Sequence, residues 1–132
     1  MSGEKDLTRL LKTMTPELNN GEFVFCTIKG NSKIDPEKII GSFKEKEGLT
    51  IIIEKHTADS LNLSYHFIAS WITLTVHSSL EAVGLTAAFS KALAEAGISC
   101  NVIAAYYHDH IFVAKKDADK AMEVLRKLSI SF

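Results

Sequence analysis

Two short stretches of the chain gather side chains that could do chemistry. His108-Asp109-His110 sets two imidazoles around a carboxylate, and His77 falls at the end of a nearby strand-like run. Imidazole and carboxylate are ordinary Zn²⁺ ligands. A tripeptide crossing a turn splays its two rings, however, and no Cys or Glu stands at ligand spacing beside it. The stretch therefore reads as a polar hairpin tip with Asp109 making its own turn bonds, and no metal is expected. A second use for His108 and Asp109 is as ligand contacts at the mouth of a pocket between subunits. The other stretch is His77-Ser78-Ser79-Leu80-Glu81-Ala82-Val83-Gly84-Leu85-Thr86, where a strand gives way to a helix. A helix N-terminus offers unpaired backbone N–H groups and partial positive charge, which suits a carboxylate. Gly84 lets a ligand approach the backbone because it has no Cβ, and Ser78, Ser79 and Thr86 can add hydroxyl contacts. The same residues have a bland reading, with Ser78-x-x-Glu81 as a capping box and Gly84 as a close-packing position. Both readings stay open at this point.

Nucleophilic chemistry has less to stand on. Cys26 and Cys100 each lie among strand-forming residues, and their neighbours Phe25, Thr27, Ser99 and Asn101 supply no cation to stabilise a thiolate. Two reduced core thiols are expected rather than a disulfide or a catalytic cysteine. No glycine-rich dinucleotide or phosphate loop occurs, and no paired carboxylates stand in a recognisable frame. The expectation is a protein without a cofactor that is not an enzyme. Glu45-Lys46-Glu47 reads as a solvated charge cluster.

The elements that position these residues follow from periodicity. Leu7, Leu10, Leu11 and Met14 share one helical face, and Thr15-Pro16 ends that helix. Asn20-Gly21 signals a turn. Strands are expected over Glu22–Lys29 and Leu49–Glu54, with a helix from Pro36 to about Phe43 capped by Asp35 between them. Thr57–Leu61 adds a helical turn. Trp71–His77 alternates, with Ile72, Leu74 and Val76 on a core face and Trp71, Thr73, Thr75 and His77 on a semi-polar one. A helix from Leu85 to Ala96 stops at Gly97. Cys100–Tyr107 is expected as a strand, with Tyr106 and Tyr107 on opposite faces, one in the core and one at an interface. The turn His108-Asp109 and the partner strand His110–Ala114 follow. Asp117 caps a last helix with Ala118, Ala121, Met122, Leu125 and Leu128 inward.

From Ile72 onward this order is β-α-β-β-α, and the first half repeats it more roughly. The fold class expected is α+β, two ferredoxin-like βαββαβ units in tandem, sharing strands in one compact body. The boundary falls between residues 1–65 and 66–132. The totals agree: 46% hydrophobic and 23% charged residues describe a globular chain rather than a disordered one. A net charge of −1 offers no field for a phosphate backbone, so nucleic acid is not an expected partner. No apolar run is long enough to cross a bilayer, and the polar start Met1-Ser2-Gly3-Glu4-Lys5-Asp6 argues against a secretory signal. A cytosolic location is expected.

Three runs carry a family resemblance: Ile72-Thr73-Leu74-Thr75-Val76, Glu81-Ala82-Val83-Gly84-Leu85, and Leu93-Ala94-Glu95-Ala96-Gly97-Ile98-Ser99. Together they resemble an ACT domain, and His110–Val113 with Asp119–Leu125 is similar to its third strand and second helix. Gly84–Ser90 is similar to the regulatory ACT domains of aspartate kinases. The whole chain resembles small stand-alone bacterial proteins with tandem ACT-like domains and no assigned activity. The turn departs from the family pattern in reading Glu81-Ala82-Val83-Gly84, without the usual proline. The resemblance implies a regulatory or sensing protein that binds an amino acid or similar small carboxylate where ACT units meet. It implies ligand contacts at His77, Ser78, Ser79, Glu81, Val83, Gly84, Leu85, Thr86, Asn101, His108 and Asp109. A homodimer is expected too, because the face with Trp71, Thr73, Thr75 and one of the two tyrosines is aromatic and poor in charge. The alternative is an ACT-like protein–protein interaction module with no small ligand.

Overall fold

A computed structural model describes residues 6–30, 32–76 and 83–130. Its elements run α1 (Leu7–Thr13), β1 (Thr15–Ile28), β2 (Gly41–Glu45), β3 (Gly48–Glu54), α2 (Lys55–Ser60), β4 (Ile68–Thr75), α3 (Leu85–Glu95), β5 (Asn101–Ala104), β6 (Asp109–Ala114) and α4 (Ala118–Ile130). The chain divides into two compact units, one of residues 1–20 with 70–132 and the other of residues 21–69. Strand β1 serves both by sequence: residues 15–20 belong to the first and 21–28 to the second. The expected α+β class and the sharing of a strand between two units are what the structure shows.

In the larger unit the strand order is β1-β4-β6-β5. The missing fourth strand of the β-α-β-β-α run is thus supplied from the start of the chain. Alternation sorts the two faces. Ile72, Leu74 and Val76 of β4 and Ile111 and Val113 of β6 pack with Leu85, Phe89 and Leu93 of α3 and Ala121, Met122 and Leu125 of α4. Leu10 and Leu11 of α1 with Met14 complete this cluster, all at 2% exposure or less. Each such side chain removed from water contributes roughly 1.5–3 kcal/mol. Helix α1 begins where the Asp6 carboxylate accepts from the Arg9 N–H at 3.2 Å. It is pinned to α4 by the Ser129 hydroxyl donating to the Met14 carbonyl at 3.2 Å. Trp71, Thr73, His110 and Phe112 lie on the opposite face of the sheet.

The smaller unit has the order β2-β3-β1, all antiparallel, with Val24 opposite Ile53 and Cys26 opposite Ile51. Its core is Val24, Cys26, Ile28, Ile51, Ile53 and Ala58.

Three expectations about local structure are corrected. Asn20-Gly21 makes no turn: β1 continues through it, with Gly21 at φ 114°. The helix expected from Pro36 to Phe43 is a single 3-10 turn, Pro36–Lys38, held by Asp35 accepting from the Glu37 N–H at 3.0 Å. The chain then joins the sheet, with the Ile40 N–H on the Ile52 carbonyl at 2.8 Å. Finally, β5 ends at Ala104, which pairs with Asp109. The hairpin tip is therefore Tyr106-Tyr107 rather than His108-Asp109, closed by the Ala105 N–H on the His108 carbonyl at 3.0 Å. Both tyrosines are exposed, at 63% and 64%, so neither ring is in the core as expected.

Candidate functional site

The expected ligand contacts spread over two elements of the larger unit and a loop. His77, Ser78, Ser79 and Glu81 lie outside the described residues. Val83 is 83% exposed just ahead of α3. Gly84 is the N-cap of that helix, at φ 99°, and so has no side chain with which to satisfy the first-turn N–H groups. The first intrahelical bond runs from the Ala88 N–H to the Gly84 carbonyl at 2.9 Å. The N–H groups of Leu85, Thr86 and Ala87 lie ahead of it, and the first turn holds no acidic residue. Thr86 is exposed, whereas Leu85 is a core residue at 3% exposure. A Cβ built on Gly84 would stand 3.0 Å from Leu7 Cδ2, so α1 closes over this position from one side.

On the hairpin, Asn101 is committed to its own sheet, donating to the Phe112 carbonyl at 3.1 Å. Asp109 sits at the start of β6 at 6% exposure; burial pushes its carboxyl above the usual range, and the neighbouring His108 opposes that shift. The His108 Nδ1 is enclosed without a hydrogen-bond partner, 6.5 Å ring to ring from His110. Polar atoms in that condition are uncommon.

The residue that sequence reasoning placed least well is His110. It belongs to a network across the sheet face. Its Nδ1 accepts from the Trp71 Nε1–H at 3.0 Å and stands 3.1 Å from Thr73 Oγ1. Asn19 Nδ2 donates in turn to Thr73 Oγ1 at 3.0 Å and to the Trp71 carbonyl at 3.2 Å. Trp71 stacks on Phe112 with ring centres 6.1 Å apart. Burial, then the charge of His108, holds the His110 ring below the ordinary imidazole range. The alternation of β4 had already put Trp71 and Thr73 on one face. The hairpin turn lies two residues earlier than expected, and it is the placement of β6 beside β4 that brings His110 to them.

The smaller unit has an open cleft of about 280 Å³ lined by Gly21, Glu22, Glu54, Lys55, His56 and Asp59. Its charges are largely answered from within. Asp59 accepts from the Tyr65 hydroxyl at 2.7 Å and from Lys55 Nζ at 3.0 Å, which holds its carboxyl down. His56 pairs with Glu54 at 3.0 Å. Among the described residues no group of three or more His, Cys, Asp or Glu is placed to hold a metal, and no helix is long and apolar enough to cross a membrane.

Comparison with known proteins accounts for both units. ACT domain family models match residues 2–70 and 67–127. The chain belongs to the ACT domain family. A protein of unknown function from Vibrio cholerae, described as a possible transport protein, is 48% identical over 95% of this chain and 97% of its own, with a TM-score of 0.82. At 15% identity a protein from Agrobacterium tumefaciens has the same fold, TM-score 0.69, over 88% of this chain and 89% of its own. The ligand-free regulatory subunit of aspartate kinase from Thermus thermophilus also matches the fold, at 9% identity and TM-score 0.60, over 89% of this chain and 98% of its own. None of the curated proteins matches the sequence significantly. The ACT domain and its fold are the common ground of these matches.

Proposed function

We propose that this ACT protein is a non-catalytic sensor for an amino acid or a related small carboxylate, that it acts as a cytosolic homodimer, and that its two sequence units are residues 1–65 and 66–132. The reading is carried by the start of α3, where three backbone N–H groups precede the first intrahelical bond and, among the described residues, neither an acidic residue in the first turn nor a capping side chain at Gly84 offsets them. Such an end attracts a carboxylate. The ligand contacts proposed are His77, Ser78, Ser79, Glu81, Val83, Gly84, Leu85, Thr86, Asn101, His108 and Asp109, with Leu85 and Asn101 offering backbone groups because their side chains are occupied.

Thermal melting against a panel of the common amino acids and nucleotides tests this. A ligand at 100 times its Kd adds about 2.7 kcal/mol, a rise on the order of 5–10 °C for a domain of this size. A Gly84→Val variant that remains folded should lose that rise; a full rise in the folded variant places the ligand elsewhere. Light scattering with size exclusion should give twice the 14.5 kDa chain mass. A constant single-chain mass on concentrating the sample would reject the dimer.

A second reading has its own observation. Val83, Tyr106 and Tyr107 are large, apolar and exposed, a composition that suits docking on another protein. Flat melting curves across the whole panel would favour an interaction module without a small ligand.

A further inference from the structure

The bond between Trp71 and His110 has a chemical asymmetry that makes it sensitive to protons. An indole N–H can only donate. With Trp71 Nε1 3.0 Å from His110 Nδ1, that nitrogen must carry the lone pair, so the neutral ring holds its proton on Nε2. The Thr73 hydroxyl fits the same assignment. It accepts from Asn19 Nδ2 at 3.0 Å, which leaves its own proton to point at Nδ1, 3.1 Å away. The only basic position left on the ring is thus the one that receives the indole. A proton taken from solvent must land on Nδ1, where it faces the Trp71 N–H as donor against donor.

We propose that His110 is a proton-operated latch: the neutral ring holds the Trp71 indole against the sheet face, and protonation at Nδ1 breaks that bond and reverses the one to Thr73. In the protonated state the face carries a cation on β6 and an indole turned away from it. In the neutral state the face is uncharged at this point and its four polar groups are bonded in one network. Among the described residues, the flanking strands set no titrating group against the ring. Strand β4 offers the ring Trp71 and Thr73, and β5 sets Ile103 opposite it, none of which titrates. On its own element the ring meets His108, 6.5 Å away, whose charge opposes a second one, with Tyr107 beyond it at 6.5 Å from His108. Asp109, the neighbouring carboxyl, alternates to the other side of β6. Burial acts in the same direction and holds the ring below the ordinary imidazole range. The latch is therefore closed at neutral pH and opens on acidification.

Trp71 is the only tryptophan, so the indole is a private reporter. In uniformly ¹⁵N-labelled protein, the imidazole nitrogens of His110 should show the Nε2–H tautomer at pH 8. On lowering the pH, the indole N–H resonance and the tryptophan fluorescence should move together with His110. Their midpoint should lie below the ordinary imidazole value of about 6.5, while the far-UV circular dichroism stays constant. His108→Gln should shift that midpoint upward, and His110→Asn should abolish the indole transition. An Nδ1–H tautomer at pH 8, an indole signal that stays flat while His110 titrates, or an indole change that coincides with loss of helical signal would each overturn the latch. The tautomer measurement uses the unmodified protein, so the latch can be rejected whether or not either variant folds.

Discussion

The two units run the same strand–helix pattern with very different helical cover. In the larger one, α1, α3 and α4 lie on the sheet and enclose fifteen buried residues among those described. In the smaller one, the position of the first helix is taken by a three-residue 3-10 turn, α2 is six residues long, and the buried cluster has six members among the described residues. The difference lies in a few residues. Between Asp35 and β2 the sequence Pro36-Glu37-Lys38-Ile39-Ile40-Gly41 offers two adjacent apolar residues instead of an apolar stripe at helical spacing, and Ile40 bonds into the sheet. A helix without a stripe to bury has little to hold it in place, since most helical stability in proteins comes from packing. The ferredoxin-like frame thus survives loss of its cover as long as the strands pair. The burial that makes a core hard to disturb is concentrated in the larger unit.

A matched pair of substitutions measures that contrast. Ile72 and Ile51 are both completely buried and both on strands, one in each unit. Truncating a buried isoleucine to alanine costs ~2–5 kcal/mol, with the value set by how far the surroundings can collapse into the void. Ile72→Ala, held between a sheet and three helices, should fall near the top of that range, and Ile51→Ala nearer the bottom. Urea denaturation checks this. Equal losses, or a larger one for Ile51→Ala, would show that the thin cover is as rigid as the thick one.

Gly84 should come next. An added Cβ must both accept φ 99° and meet Leu7 Cδ2 at 3.0 Å. Backbone strain of this kind costs about 1–3 kcal/mol. Gly84→Ala should therefore destabilise by that order, and a Leu7→Ala background should return the part due to the contact while the backbone part remains. Complete recovery in the double variant would mean that the left-handed conformation is not held in solution.

Two carboxylates, one in each unit, should respond to pH with opposite signs. Asp59 in the smaller unit is held down by the Tyr65 hydroxyl and Lys55, so it adds stability above the ordinary carboxylate range and loses it as the pH falls through its folded pKa. Asp109 in the larger unit is pushed up by burial. Its folded form binds the proton more tightly than its unfolded form, so its contribution is full in acid and is lost as the pH rises through its folded pKa. At pH 7, Asp109→Asn should raise the melting temperature and Asp59→Asn should lower it slightly, the latter being an exposed pair of small worth. Melting curves of both variants at pH 4 and pH 7 decide it, and a loss of stability in Asp109→Asn at pH 7 would reverse the assignment.

How much of this was legible in the sequence follows the same division. The larger unit could be read because its apolar residues recur at helical and strand spacing: Leu7, Leu10, Leu11 and Met14, then Ile72, Leu74 and Val76, then Leu85, Phe89 and Leu93, are all where periodicity placed them. Gly97 ends its helix as the local rule requires. The errors came where a local signal was outvoted by sheet pairing. Asn20-Gly21 looks like a turn until β1 is seen to need its full length to serve both units. Asp35-Pro36 looks like a helix start, and it is, for one turn. The site was half legible. The glycine N-cap of α3 can be read locally from Gly84, but the tyrosine tip depends on pairing between β5 and β6 and the meeting of His110 with Trp71 on β6 lying beside β4, which no single strand announces.

The smallest expected effect is kinetic and sits on the two thiols. Cys26 is buried in the small core and Cys100 is half-buried beside the large one, both free. Burial raises both thiols above their ordinary range, with a Ser90 hydrogen bond partly offsetting it at Cys100, so both should react slowly with a thiol probe at neutral pH. Their order separates two kinds of access. If static exposure governs labelling, Cys100 reacts first and its rate barely changes in dilute urea, because no opening is needed. Cys26 then waits for its unit to open, and its rate climbs with urea in proportion to the surface exposed. We expect this order, with the urea dependence confined to Cys26. If Cys26 labels first, the six-residue core opens often enough to overcome its burial, and the contrast between the two units becomes one of dynamics as well as of packing. Rapid labelling of either thiol in the folded protein would remove it from the core altogether and reopen the case for cysteine chemistry.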